Sequence, residues 1–127
     1  IGISACTNSK MVERRFFGHS YAPTACFELA YNAYNKAKEM GVNVHVGPLL
    51  SSDMFYDDTG EDIMRWAEYG VLGVEMEAAE LLTQAKKNDV QALCICTVSD
   101  MITTGEVTTS QERQETFTQM MEIALEL

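Results

Sequence analysis

The stretch Val71-Leu72-Gly73-Val74-Glu75-Met76-Glu77-Ala78-Ala79 determines the fold class of this chain. Residues 71–74 are apolar apart from one glycine, which predicts a short buried strand. From Ala78 to Lys87 the apolar residues recur at helical spacing, which predicts a helix directly after the strand. Strands that alternate with helices in this way indicate an α/β fold around a largely parallel sheet.

The same alternation continues on both sides of this stretch. Further strands are predicted over 1–7, 42–46 and 92–98, and further helices from Thr24 to the stop at Gly41, over 61–69, and along the stripe from Phe117 to Leu127. Residues 8–20 and 99–109 are polar and rich in turn residues, so loops are expected there. The sequence contains neither repeats nor a linker, and one domain is predicted over residues 1–127.

Composition and charge exclude several classes of protein. Nine basic and nineteen acidic residues give 127 residues a net charge of −10, which argues against binding nucleic acid. No apolar run approaches the roughly 20 residues that span a bilayer, so no membrane segment is expected. Four irregularly spaced cysteines do not form a disulfide framework, and a reducing cytoplasm is the expected compartment.

Acidic side chains follow two of the predicted strands. Glu75 and Glu77 come after residues 71–74, and Ser99-Asp100 comes after residues 92–98. Ligands of open α/β sheets bind beyond the carboxyl ends of strands. A carboxylate there can accept two hydrogen bonds from a diol such as ribose, and one with a raised pKa can act as a general acid. The alternative, slightly favoured by spacing for Glu75 and Glu77, is that these acids cap the following helix.

Five blocks of sequence, in order and at compatible spacing, carry a family resemblance. They are Ala5-Cys6-Thr7-Asn8-Ser9-Lys10, Ser52-Asp53-Met54-Phe55-Tyr56, Val74-Glu75-Met76-Glu77-Ala78-Ala79, Cys96-Thr97-Val98-Ser99-Asp100, and Glu112-Arg113-Gln114 with Phe117. Together they resemble the C-terminal half of bacterial purine nucleoside phosphorylases of the hexameric, DeoD-type branch. The resemblance covers essentially the whole chain and implies part of a three-layer fold, with a central mixed, largely parallel sheet flanked by helices.

The resemblance implies a catalytic pair. Asp100 matches the acid that protonates the purine at N7, and Arg113 matches the arginine that approaches this acid when the last helix rearranges. Without the resemblance, Arg113 would be taken as a surface cation paired with Glu112 or Glu115, which contributes at most ~0.5 kcal/mol. The family usually has a histidine directly after the acid, where this chain has Met101.

The resemblance also implies a set of substrate-binding residues. Glu77, through its carboxylate, and Met76, through its backbone, match the residues that hold the ribose hydroxyls, with Glu75 in the same pocket. Phe55 matches the aromatic residue that packs on the purine ring, although by composition alone it would be a core residue. Ser99 is expected to help orient the base.

The activity implied is reversible phosphorolysis of purine nucleosides, with phosphate as co-substrate and neither a metal nor an organic cofactor. The expected assembly is a hexamer in which a neighbouring subunit completes each site. The phosphate-binding glycine loop and arginines of the family belong to an N-terminal half that this chain, which begins at Ile1, is expected to lack. Two alternatives remain: a nucleosidase of the 5′-methylthioadenosine type that uses water, and a non-catalytic half-domain that binds nucleoside or only packs against partner chains.

Overall fold

The computed structural model describes residues 1–54 and 61–127, without the side chains of Glu61 and of residues 114–117. The strands in the described residues are β1 (Gly2–Thr7), β2 (Gly47–Ser51), β3 (Val74–Glu75), β4 (Asp100–Met101) and β5 (Glu106–Val107). The helices are α1 (Lys10–Arg15), α2 (Phe27–Glu39), α3 (Glu61–Glu68), α4 (Ala78–Lys87) and α5 (Ser110–Leu125).

A three-stranded parallel sheet with the order β1-β2-β3 forms the centre of the fold. Leu50 on the central strand β2 pairs with Cys6 on one side and with Val74 on the other. Because all three strands are parallel, their carboxyl ends meet at one edge of the sheet, next to the start of α4. The predicted α/β class is therefore confirmed.

Two groups of small and aliphatic side chains form the core. The first lies between β1 and α4 and contains Ala5, Ala78, Ala79 and Leu82. The second lies between α2 and α5, where Ala33, Ala37 and Ile123 are buried. Alanines at these contacts let the helix backbones approach closely, so the N-terminus of α4 is held against the edge of the sheet.

The helix predictions hold well. The predicted bounds of α4 are confirmed residue for residue, and α3 is one residue shorter than predicted. The helix α2 ends before Gly41 and α3 before Gly70, and both glycines have positive φ, +70° and +83°, as expected for residues that stop a helix. None of the helices in the described part of the chain combines the length and the apolar character needed to cross a membrane.

The strand predictions are less accurate. The strand predicted over 92–98 is wrong: this fully described segment forms a single bridge, in which Gly2 N donates to Cys94 O at 2.9 Å. Apolar, β-branched composition favours a strand only where another backbone completes the ladder. The strand predicted over 42–46 is displaced, because pairing with β1 begins at Gly47. The strand predicted over 71–74 is reduced to Val74–Glu75, since Pro48 beside it has no N–H to donate.

Both predicted loops contain regular structure. Within residues 8–20 lies α1, whose N-cap Ser9 accepts a hydrogen bond from Met11 N through its hydroxyl. Within residues 99–109, β4 and β5 form an antiparallel hairpin with Gly105 in its turn at φ +74°. Residues as polar as these can form short elements when caps and turns satisfy their backbone groups.

Candidate active site

The carboxylate of Glu75 caps the first turn of α4. Its Oε2 accepts hydrogen bonds from Glu77 N at 2.7 Å and from Ala78 N at 2.6 Å, and its Oε1 accepts one from the hydroxyl of Ser51. The first N–H groups of a helix have no partner within the helix, and a negative charge is favoured beside them. Glu75 therefore has the capping role that its spacing favoured, and it fixes the turn that presents Met76 and Glu77.

Ser51 joins the central strand to this turn. It is only 5% exposed, its hydroxyl donates to Glu75, and the same oxygen accepts from Ala79 N at 2.8 Å. The Ser51 carbonyl in turn accepts a hydrogen bond from Thr7 Oγ1 at 2.8 Å. Sequence reasoning missed Ser51, although a hydroxyl at the end of the apolar run Leu49-Leu50 is the signal that could have indicated it.

Met76 and Glu77 are exposed on the outer side of the capped turn. Glu77 is the N-cap residue of α4, and within the described part of the chain its Oε2 accepts a single, long hydrogen bond, 3.3 Å, from Met76 N. A small cleft of about 30 Å³, room for about one water molecule, lies beside Met76 and is lined in part by Thr7 and Ser51. An ionised carboxylate accepts hydrogen bonds and cannot donate them, so Glu77 is suited to bind hydroxyl groups.

The chain leading to Phe55 is held by a polar network. Asn8 donates through Nδ2 to Ser52 Oγ at 3.1 Å, and its Oδ1 accepts from Asp53 N at 3.2 Å. Ser52, only 6% exposed, donates to Met54 O at 3.0 Å. Phe55 itself, predicted to pack on the purine ring, lies outside the described residues.

Asp100 lies at the exposed start of the hairpin. Its Oδ2 accepts a hydrogen bond from the hydroxyl of Ser99 at 2.8 Å. The backbone of Asp100 pairs with Val107 in the short ladder between β4 and β5. Two of the predicted site residues, Ser99 and Asp100, are thus in direct contact, and the Asp100 side chain is exposed to solvent.

Arg113 is connected to this pair through Thr108. Its Nη2 donates to Thr108 O at 3.1 Å, and Thr108 donates to Ser99 O through both its backbone N–H and its hydroxyl. Glu112, the residue before Arg113, forms a capping box with Thr109, and the hydrogen bond from Thr109 N lowers the pKa of the Glu112 carboxyl. The start of α5 is therefore tied to the segment that carries Asp100.

The segment that leads to Ser99 lies near the α4 turn. The hydrogen bond between Cys94 and Cys96 lowers the pKa of Cys96 to about 7, while burial and the nearby carboxylates of Glu75 and Glu77 oppose that shift. Cys96 therefore lies within electrostatic reach of the α4 turn and three residues from Ser99. Among the described residues, no group of three or more His, Cys, Asp or Glu side chains could hold a metal ion.

A parallel sheet that has Glu75 and Glu77 at the carboxyl end of β3 defines an α/β protein, and the ligands of such sheets bind at that edge. More specifically, the chain belongs to the phosphorylase superfamily, which it matches over residues 3–127. The family resemblance carried by the five sequence blocks is confirmed at this level.

Three bacterial relatives named purine nucleoside phosphorylase DeoD-type are similar to this chain. The identity is 52% to the protein of Clostridium novyi, 54% to that of Clostridium beijerinckii and 52% to that of Caldanaerobacter subterraneus. The comparisons cover 99–100% of this chain but only 53–55% of the relatives. The chain spans about half the length of the curated relatives it matches.

Proposed function

We propose that this chain forms the nucleoside-binding side of a purine nucleoside phosphorylase. The reaction is reversible phosphorolysis of a purine ribonucleoside or deoxyribonucleoside to the free base and (deoxy)ribose 1-phosphate. The main structural support is the different use of two acids at the start of α4. Glu75 caps the helix, whereas the Glu77 carboxylate is exposed and can bind a ligand. The identity of 52–54% to bacterial relatives named purine nucleoside phosphorylase supports the same activity.

On the ribose side, the Glu77 carboxylate accepts hydrogen bonds from the sugar hydroxyls, and Met76 N–H supplies a donor beside it. The 3.3 Å bond between these two groups is weak enough for a hydroxyl to displace. Glu75 acts as a positioning residue, because its two backbone hydrogen bonds fix the turn. A ribose held in this way presents its anomeric carbon in one orientation.

On the base side, Asp100 is the general acid. As the glycosidic bond breaks, the electron pair of that bond moves into the purine. A proton from the Asp100 carboxyl then passes to N7 of the purine. A phosphate oxygen forms the new bond to the anomeric carbon, so atoms and charge balance without a metal or an organic cofactor. Ser99 orients the acid through its 2.8 Å hydrogen bond, and Arg113 favours proton donation when α5 brings its guanidinium towards Asp100.

The phosphate is bound by residues outside this chain. A net charge of −10 leaves few basic groups here, whereas a phosphate site requires donors such as arginine. The proposed assembly is a cytoplasmic hexamer in which a neighbouring subunit completes the site. The four cysteines, all unpaired in the structure, agree with a reducing compartment.

The test uses the protein produced from the complete gene, with its intact mass measured first. A mass near 14.2 kDa would show that the gene product consists of residues 1–127, and a larger mass would show that more polypeptide is available to complete the site. Inosine, guanosine and adenosine are then assayed with and without phosphate. Turnover that requires phosphate supports the proposal. Turnover without phosphate indicates a nucleosidase, and saturable nucleoside binding without turnover indicates a non-catalytic protein.

A further inference from the structure

Two thiols lie against each other on the segment that leads to Ser99 and Asp100. The Sγ atoms of Cys94 and Cys96 are 3.5 Å apart, with Cys94 half-buried and Cys96 exposed. The function proposed above uses neither thiol. We propose that Cys94 and Cys96 form a reversible dithiol–disulfide site, which is oxidised by thiol–disulfide exchange with a small-molecule disulfide.

The local backbone permits this bond. The two sulfur atoms must move from 3.5 Å to about 2.05 Å, which requires the chain to bend at the intervening Ile95. A regular strand would resist that bend through its ladder of hydrogen bonds. Residues 93–98, all of which the structure describes, form no strand, and the bond from Gly2 N to Cys94 O is the one backbone hydrogen bond that the described residues give them. A bond between cysteines this close in sequence closes a small ring, which favours a bond that is easily reduced again.

The two thiols differ in their readiness to react. The hydrogen bond between them lowers the pKa of Cys96 to about 7 and raises the pKa of Cys94. At neutral pH a large fraction of Cys96 is thiolate, and the thiolate is the nucleophile in disulfide exchange. Cys96 is also the more exposed thiol. The attacking residue is therefore Cys96, and Cys94 is the residue that resolves the intermediate.

The exchange takes two balanced steps. The Cys96 thiolate attacks one sulfur of the small disulfide, forming a mixed disulfide and releasing one thiolate, which takes a proton from solvent. Cys94 then gives its proton to solvent and attacks Cys96 Sγ, which expels the second thiolate, and that thiolate is protonated in turn. The protein loses two electrons and two protons, and the small disulfide is reduced to two thiols.

The test treats the protein from the complete gene with oxidised glutathione near neutral pH, followed by alkylation of the remaining thiols and peptide mass analysis. The expected product has lost two hydrogen atoms through a Cys94–Cys96 bond, and dithiothreitol restores the original mass. Cys6 and Cys26 serve as internal controls that remain open to alkylation. A lasting glutathione adduct on Cys96 with Cys94 still alkylated, a bond to Cys6 or Cys26, or no reaction of either thiol would each overturn the proposal.

Two variants test the assigned order of attack. In Cys94→Ser the glutathione adduct should accumulate on Cys96, because the resolving thiol is absent. In Cys96→Ser the reaction of Cys94 should be slower on the order of tenfold, because the thiol that remains is mostly protonated. Equal rates for the two single variants would contradict the assignment of Cys96 as the nucleophile. Circular dichroism of each variant establishes that it is folded before its rate is compared.

Discussion

The two acidic ends of the candidate site are built in opposite ways. At the start of α4, Glu75 is held by two backbone N–H groups and by the buried hydroxyl of Ser51. At the hairpin, Asp100 is exposed, and its carboxylate accepts one hydrogen bond from the adjacent Ser99. A fixed turn suits the ribose-binding role proposed for Glu77. An open acid on a short hairpin suits the role of general acid proposed for Asp100, which would meet the base as the site closes.

The largest effect on activity is expected when the exposed carboxylate of Asp100 is removed. Asp100→Asn keeps the size and the hydrogen bond from Ser99 but removes the proton donor, so kcat for inosine should fall by about 10²- to 10⁴-fold. Stability should change little, because the carboxylate lies in solvent. Steady-state kinetics of the protein from the complete gene, with phosphate in excess, measure this loss.

The matched control for Asp100 is Asp89→Asn, which removes another exposed carboxylate at a residue with positive φ, a conformation that asparagine tolerates. That variant should retain the wild-type kcat. Near-normal turnover of inosine by Asp100→Asn would remove Asp100 from the role of acid and leave the hairpin without a catalytic function.

The next largest effect is expected at Glu77. Glu77→Gln replaces a carboxylate that accepts two hydrogen bonds with an amide that accepts them less strongly, so kcat/KM should fall by about 10- to 100-fold. Glu122→Gln on the exposed side of α5 is the control. The difference should shrink for a nucleoside that lacks a ribose hydroxyl. An equal loss for that substrate would show that Glu77 does not bind the hydroxyl group.

Local patterns in the sequence predict the helices and the cap at the start of α4. The periodicity of α4 and the glycine stops after α2 and α3 depend on neighbouring residues, so they can be read from the sequence. Spacing favoured a capping role for the acids of the α4 turn, and the structure shows that role for Glu75. The segment 92–98 could not be predicted correctly, because a strand depends on a partner distant in sequence.

The hydrogen bonds of Ser51 show a second limit of prediction from the sequence. Its hydroxyl reaches Ala79 N, 28 positions along the chain, and no local pattern indicates that contact. The same hydroxyl donates to Glu75, 24 positions along the chain, and this bond helps to determine that Glu75 rather than Glu77 caps the helix. The roles of all the site residues in catalysis and substrate binding were predicted from the family resemblance and stay predictions: Asp100, Arg113, Phe55, Glu75, Met76, Glu77 and Ser99.

The α4 turn should also contribute more to the stability of the folded protein than the exposed start of α5 does. Ser51→Ala leaves the N–H of Ala79 and one oxygen of Glu75 without a partner in a buried place, so the free energy of unfolding should fall by about 1–3 kcal/mol. Urea unfolding measures this loss. Ser110→Ala, which removes a hydroxyl from an exposed position, should change stability much less. Equal effects would mean that the α4 turn is not held as the hydrogen bonds indicate.

The smallest effect on stability is expected at the ion pair between Arg15 of α1 and Glu80 of α4. Arg15 donates to both oxygens of Glu80, at 2.8 and 2.6 Å, and this hydrogen bonding lowers the pKa of Glu80 below its ordinary value of 4.5. A lowered pKa in the folded state stabilises the protein above the unfolded-state value. That contribution is present above pH 4.5 and is lost as the pH falls through the folded-state pKa.

Glu80→Gln should therefore lower the urea midpoint at neutral pH by less than Ser51→Ala does, because both side chains of the pair are about one-third exposed. As the pH falls through the folded-state pKa of Glu80, the difference from wild type should become smaller, because the carboxylate becomes protonated and the ion pair is lost. Glu122→Gln again serves as the control and should show little change over the same pH range. A difference that stays constant or grows as the pH falls would mean that the ionised form of Glu80 does not stabilise the contact between α1 and α4.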